Sequence, residues 1–425
     1  MIPKHTITKI NGINTILVPF KSNTISIAMA FNMGHFDENE KSKGLTHFIE
    51  HLLATSIREC DVMKEYQKKG IFINCNAYTD LFNTGYFLNS DPRFFNKALK
   101  LIIDSFINFK VNSENYNREK ESIIVEMTKK MNDPIDKTFS VILPDLLFKN
   151  KNLIRDPKVH IDNIYNITPK QVELFYKKNY NLRSGVLVLS GDFNVSDAKK
   201  IINSYKLQTI NKLVINRTIT PKKYNSYVYK FIEDKNLGLV QIIYNFKVFD
   251  SNNKNKYIIK MISTMLDDIG SKSILFSKLR IKLGITYSPY SRIYTNQYYG
   301  IFSIIVEVVS KNIDKANKEI FDILKKFKNF SDEDSLIQLA KSRLKYDILI
   351  MNNDNNSSFY INYGDKFINK IDIISLNEIY KKYYDKVDSK KIKNLSNTIF
   401  NPNNLIINVI HNKRISDKFT IFKDL

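Results

Sequence analysis

Apolar positions near the start of the chain fall in short runs of strand character. Thr15 to Phe20 and Thr24 to Asn32 read as two β-rich segments, with Lys21-Ser-Asn23 as a hairpin-like turn between them. A polar loop, Gly34 to Lys43, leads into a helical pattern, and a second helical stretch from Asp61 to Lys69 stops at Gly70. Strands are predicted at Ile71 to Tyr78 and Thr84 to Asn89, then helices at Pro92 to Phe109 and Asn117 to Met131. Lys149 to His160 reads as a loop, Pro169 to Tyr176 as a helix, and Gly185 to Ser190 as an apolar strand ending at Gly191-Asp192.

From Lys206 to Lys223 the sequence turns polar and loses periodicity, and beyond it a similar order of elements begins again. Leu237 to Phe246 reads as a strand, Lys256 to Asp268 as a helix, Gly300 to Val309 as a strand and Ile313 to Phe327 as a helix. The strand, short link and helix running from Tyr86 to Lys100 match those from Phe302 to Lys318. The fold class predicted is therefore α+β with a duplicated domain: residues 1–205, a linker at 206–223, and 224–425.

The chemistry concentrates in the first half. His47-Phe-Ile-Glu50-His51, read as a helix, sets two imidazoles four residues apart on one face, with Glu50 on the same turn. Two neutral imidazoles suit Zn²⁺, and the neighbouring carboxylate can take a proton from water that the metal has made acidic. The order His-x-x-Glu-His is the inverse of the commoner metallopeptidase motif. A further helix carries Glu119 and Glu126 two turns apart, so both project the same way. One of them can ligate while the other orients the site from behind. Shifting the first half by 218 residues lays Ser331 to Tyr346 on this carboxylate helix and puts Met265 and Ile269 where His47 and His51 stand. Those side chains cannot hold zinc, so one Zn²⁺ per chain is expected.

These motifs resemble the pitrilysin-type inverted zinc metallopeptidases, in particular the short two-domain bacterial branch and the processing-peptidase beta subunits. The match rests on Gly34 and Glu38 before Gly44-Leu-Thr-His47-Phe-Ile-Glu50-His51, on Asn76-Ala-Tyr-Thr79 with Thr84 and Tyr86, and on Glu119 to Glu126. Gly191-Asp192 and the late pair Arg280 and Tyr287 continue it. Glu126 also follows His51 by the 75 residues that the family's third ligand requires. The resemblance implies two α/β-sandwich domains that pair with a second subunit into a clamshell. It implies His47, His51 and Glu126 as metal ligands, Glu50 as the base and Glu119 as the orienting carboxylate. Asn76 and Ala77 would hold substrate backbone, and Arg280 and Tyr287 would contact substrate and polarise the scissile carbonyl. The loop from Arg155 to His160 departs from the pattern by lacking a glycine.

Composition adjusts this picture little. A chain of 425 residues with 43% hydrophobic content, 24 Tyr and 28 Phe can fill two cores. The net charge of +22 is spread along the whole length among Asn and Ile, with no compact basic tail and no nucleic-acid motif, so no nucleic-acid partner is expected. No apolar run approaches a membrane span and no leader pattern opens the chain, so a cytoplasmic protein without a membrane partner is predicted. Cys60 and Cys75 offer no disulfide framework. The expected function is a zinc endopeptidase acting on peptides or unfolded segments in a closed chamber, as a homodimer or with a related subunit. The alternatives are a dedicated processor of one leader or bacteriocin-like peptide, working in a heterodimer, and a non-catalytic partner subunit.

Overall fold

A computed structural model describes residues 5–207, 217–331, 335–353, 357–415 and 417–425. The chain is mixed helix and sheet, in two compact units, Met1–Thr220 with Met351–Ile373, and Pro221–Ile350 with Ile374–Leu425. Among the described residues no helix is long and apolar enough to cross a membrane.

The first unit is built on a six-stranded sheet. Its strands are β1 (Thr6–Ile10), β2 (Ile13–Pro19), β3 (Ile25–Phe31), β4 (Ile73–Thr79), β5 (Thr84–Ser90) and β6 (Val186–Gly191), in the order β1-β2-β6-β3-β5-β4. Only β2 and β6 run parallel; the other neighbours are antiparallel. β3 is buried along its whole length because both faces of the sheet are covered, which explains its unbroken apolar run. Ile25, Ile27, Met29 and Phe31 face one core, shared with a helix at Leu45–Glu59 that we call the histidine helix. Ala28 faces the other, with Ile16, Val18, Val186 and Val188.

The second unit repeats this plan with five strands: β7 (Val228–Glu233), β8 (Val240–Val248), β9 (Tyr290–Thr295), β10 (Gly300–Val308) and β11 (Leu405–His411). Their order, β7-β11-β8-β10-β9, reproduces β2-β6-β3-β5-β4, including the one parallel pair, here β7 with β11. The duplication read from β5 and β10 therefore extends to the whole sheet. Met265 is fully buried in the second core, on the helix Lys256–Asp267. The repeat has spent this position on packing.

One boundary differs from the sequence reading, at residues 351–373. The polar stretch 206–223 has its centre, 208–216, outside the described residues, as are 332–334 at the start of the second half's counterpart of the carboxylate helix. Residues 351–373, placed by sequence in the second domain, cluster with the first. Their helix, Ser357–Ile368, lies across β3, β5 and β6. Tyr363 is buried against Ala28 and Val188, and a Cβ added at Gly364 would stand 2.9 Å from that of Ala30, so the helix rests directly on the sheet.

The same helix carries Asp365, partly buried, whose two oxygens accept from the Tyr78 hydroxyl at 2.9 Å each. Burial pushes this carboxyl up to about 7, despite the Tyr78 hydrogen bond, with Asp80 adding to the rise. A carboxyl raised on folding favours the folded state most at pH values below its usual range, and that contribution fades as pH climbs through 7. Asp365→Asn is accordingly expected to raise the melting temperature by several degrees at pH 8.5, and by steadily less as pH falls from 7 toward 3.5, as read by thermal denaturation.

Candidate metal centre

The histidine helix is amphipathic in a way that fixes its orientation. Leu45, Phe48, Ile49, Leu52 and Leu53 are buried in the core, at the spacing of one helical face. The adjoining stripe carries His47, Glu50 and His51. A second helix, Ser113–Met131, crosses it, with Phe48 and Tyr116 rings 5.1 Å apart and Ile123 and Met127 buried beneath. This carboxylate helix begins four residues earlier than predicted, because the Asn112 side chain accepts from the backbone N–H groups of Glu114 and Asn115.

The crossing brings His47, His51 and Glu126 together, with one donor atom from each lying within 4.8 Å of the others. Glu126 Oε2 is 3.5 Å from His47 Nε2 and 3.5 Å from His51 Nε2. Donors bound at about 2.0–2.2 Å to one tetrahedral zinc stand roughly 3.3–3.6 Å apart, so this donor set fits the ion. The other oxygen of Glu126 accepts from Lys130 at 2.7 Å, leaving Oε2 to the site. Glu119 stands behind the site. Its Oε2 is 3.1 Å from His51 Nδ1 and its Oε1 accepts from Thr55 at 2.8 Å. Nδ1 thus faces Glu119 while Nε2 is turned toward Glu126 Oε2, and it is Nε2 that would ligate an ion once it has given up its proton.

Electrostatics divide the roles further. Burial holds His47 well below its usual range, helped by the neighbouring His160 and His51. It therefore stays neutral, as a ligand must. Burial also works against a charge on His51, but its hydrogen bonds to Glu126 and Glu119 and the charge of Glu50 outweigh it, so His51 is raised. The hydrogen bond from His51 holds Glu126 far below the usual carboxylate range, against its partial burial. Glu50 goes the other way. Desolvation raises it, His51 and the Thr79 hydroxyl of β4 oppose the rise, and its Oε2 sits 3.8 Å from His47 Nε2.

Further residues surround the donor set. Glu38 is 3% exposed, and its carboxylate accepts from the N–H groups of Gly44 at 2.9 Å and Thr46 at 2.7 Å, capping the histidine helix from the preceding loop. His160 was placed in a loop but lies on a helix, Pro157–Asn166, where Asp156 caps the amide of Lys158 and Pro157 takes the first helical position. Its ring packs 5.3 Å from that of His47, and the His35 ring lies 6.1 Å from His47 and 6.0 Å from His160. Burial pushes His160 down to about 4. Gly44 must lack a side chain, since it has φ of +97° and an added Cβ would lie 2.2 Å from His160 Cδ2.

The remaining predicted residues are placed as follows. Asn76 and Ala77 lie on β4, the edge strand that packs on the histidine helix, and Asn76 is exposed. Arg280 and Tyr287 lie in the second unit and meet each other. The guanidinium covers the Tyr287 ring at 4.1 Å and donates to its carbonyl, while the ring is 79% exposed.

Family models match both halves. One, described as insulinase (peptidase family M16), matches residues 18–155, and the other, described as the peptidase M16 inactive domain, matches residues 166–344. The chain belongs to peptidase family M16. This is the pitrilysin type that its motifs resemble, and the inactive-domain match agrees with a second half whose core helix carries Met265. An uncharacterized zinc protease of Rickettsia felis is 24% identical over 77% of this chain and 78% of its own length. A probable mitochondrial-processing peptidase subunit beta of Arabidopsis thaliana is 22% identical over 91% of this chain and 74% of its own. The crystal structure of a protease from Helicobacter pylori superposes with a TM-score of 0.84, covering 96% of this chain and 99% of that one at 19% identity. That likeness concerns the fold.

Proposed function

We propose that this M16 chain is a zinc-dependent endopeptidase that cuts peptides or unfolded segments. The observation that carries the reading is the donor set of His47, His51 and Glu126, all within 4.8 Å and with Glu126 Oε2 3.5 Å from both imidazoles, and the buried carboxylate of Glu50 beside it. His47, His51 and Glu126 would hold the ion. Zinc, when bound, supplies a Lewis acid that polarises a peptide carbonyl and makes water nucleophilic at neutral pH. Glu50 takes the proton from the attacking water and passes it to the leaving amine. Its raised proton affinity, a product of burial, suits both halves of that transfer. The edge strand β4 offers substrate backbone a place to pair, at Asn76 and Ala77. Arg280 and Tyr287, supported by the family resemblance, donate hydrogen bonds to the carbonyl oxygen as it gains charge. The active form is a closed chamber made by two such chains or by this chain with a related subunit.

Metal removal tests this directly. A diverse peptide mixture is incubated with native chain, chelator-treated chain and chelator-treated chain given zinc again, and cuts are read by mass spectrometry. Cleavage is expected to vanish with the chelator and to return with zinc. Cuts that survive the chelator would sink the proposal. A second reading, dedicated processing of one peptide within a heterodimer, draws support from the Arabidopsis relative's name as a subunit beta. It predicts cleavage only after a related subunit is added.

A further inference from the structure

We infer that Arg217, 86 residues beyond the end of the carboxylate helix in sequence, is a positioning residue of the metal centre. The inference rests on reading His47, His51 and Glu126 as a zinc site. The Arg217 side chain is 1% exposed. Its Nε and one terminal nitrogen form a fork on Asp37, at 2.8 and 2.5 Å, and the other terminal nitrogen donates to Asn32 Oδ1 at 2.8 Å. Further donation goes to the carbonyls of Asn32 at 3.3 Å and Phe82 at 3.0 Å, and the guanidinium lies 5.1 Å from the Phe82 ring centroid.

What this arginine grips is the loop that caps the histidine helix. Asp37 also accepts from the Gly34 N–H at 3.0 Å, closing the turn of residues 34–38. The same turn is tied to the β4–β5 connection, because His35 and Phe36 donate to the carbonyls of Asp80 and Leu81 at 3.1 and 2.8 Å. An added Cβ at Gly34 would lie 2.3 Å from the Asp80 carbonyl, so the two loops touch. Glu38 follows Asp37 directly, and its carboxylate holds the amides of Gly44 and Thr46, one residue before His47. A continuous set of bonds therefore runs from Arg217 through Asp37 and Glu38 to the first turn of the histidine helix. It also fixes the connection that leaves β4 just after Thr79, whose buried hydroxyl lies near Glu50. A lysine could supply the charge but not the planar fork.

Outer partners that orient ligands change metal affinity about 10–100-fold when lost. Arg217→Gln is expected to weaken zinc binding by that factor, in competition titration against a chromophoric chelator on the full chain well below its melting temperature. The visible absorption of the cobalt-loaded variant is expected to change in intensity, which a loss of global stability alone would not produce. Arg217→Gln combined with Glu38→Gln should lose less affinity than the two separate losses multiplied, because both act on one turn. Arg183→Gln serves as control, since Arg183 also ties a first-unit loop, through the Asn11 carbonyl at 3.1 Å. It should leave zinc affinity unchanged. If Arg217→Gln does not fold, Asp37→Asn carries the same expectation. Native-like zinc affinity and cobalt spectrum in a folded variant would overturn the role of Arg217 while leaving the metal site standing. Failure of the native chain to bind zinc would overturn the site and this inference together.

Discussion

Glu50→Gln is expected to keep zinc and lower turnover by roughly 10²–10⁴-fold, the range for loss of a general base. Glutamine has the same shape, so the packing around this buried position, 9% exposed, should survive. The carboxylate Oε2 is 3.8 Å from His47 Nε2, beside the donor set and outside the His47, His51 and Glu126 group. Removing its charge should thus spare metal content, measured by elemental analysis, while kcat falls. The amide cannot accept the proton that the attacking water must lose. Because Glu50 acts in the chemical step, kcat is expected to fall much more than KM rises. Native turnover in the variant would remove Glu50 from the mechanism, and loss of zinc would make it part of the metal site instead.

The core of the candidate site was legible because its pattern is local. Two histidines four apart and two glutamates seven apart need only helical periodicity to share a face, and the crossing of the helices then brought His51 to both Glu119 and Glu126. The repeat was legible for a similar reason, since β5 and β10 are each followed by a helix at matching distance. Contacts set by tertiary packing were not. The helix Ser357–Ile368 has the same apolar pattern whichever sheet it covers, so nothing in its spacing assigned it to β3 and β6. Arg217 and Asp37 are 180 residues apart and carry no shared period. Asp156-Pro157 was read as part of a loop, although the same pair opens a helix when aspartate caps and proline takes the first position. That one local ambiguity hid His160, whose ring packs against His47.

Glu126→Gln and Glu119→Gln separate the ligand from the residue that orients one. Glu126 Oε2 is the only carboxylate oxygen of the donor set, standing 3.5 Å from both imidazoles. An amide there offers a neutral, weaker donor and leaves the ion two imidazoles. Zinc affinity should fall by more than the approximately 10–100-fold that loss of an outer hydrogen bond costs. Peptidase activity at limiting zinc should fall with it. Glu119 touches only the far nitrogen of His51, at 3.1 Å, and is anchored by Thr55. Its replacement should stay within that 10–100-fold range and be largely rescued by excess zinc, because His51 can still present Nε2 once its ring is turned correctly. Competition titration of both variants, followed by activity across a zinc series, reads the two effects apart. Equal losses would mean that Glu119 is itself a ligand, and a Glu126 variant that holds zinc as tightly as native would move the third ligand elsewhere.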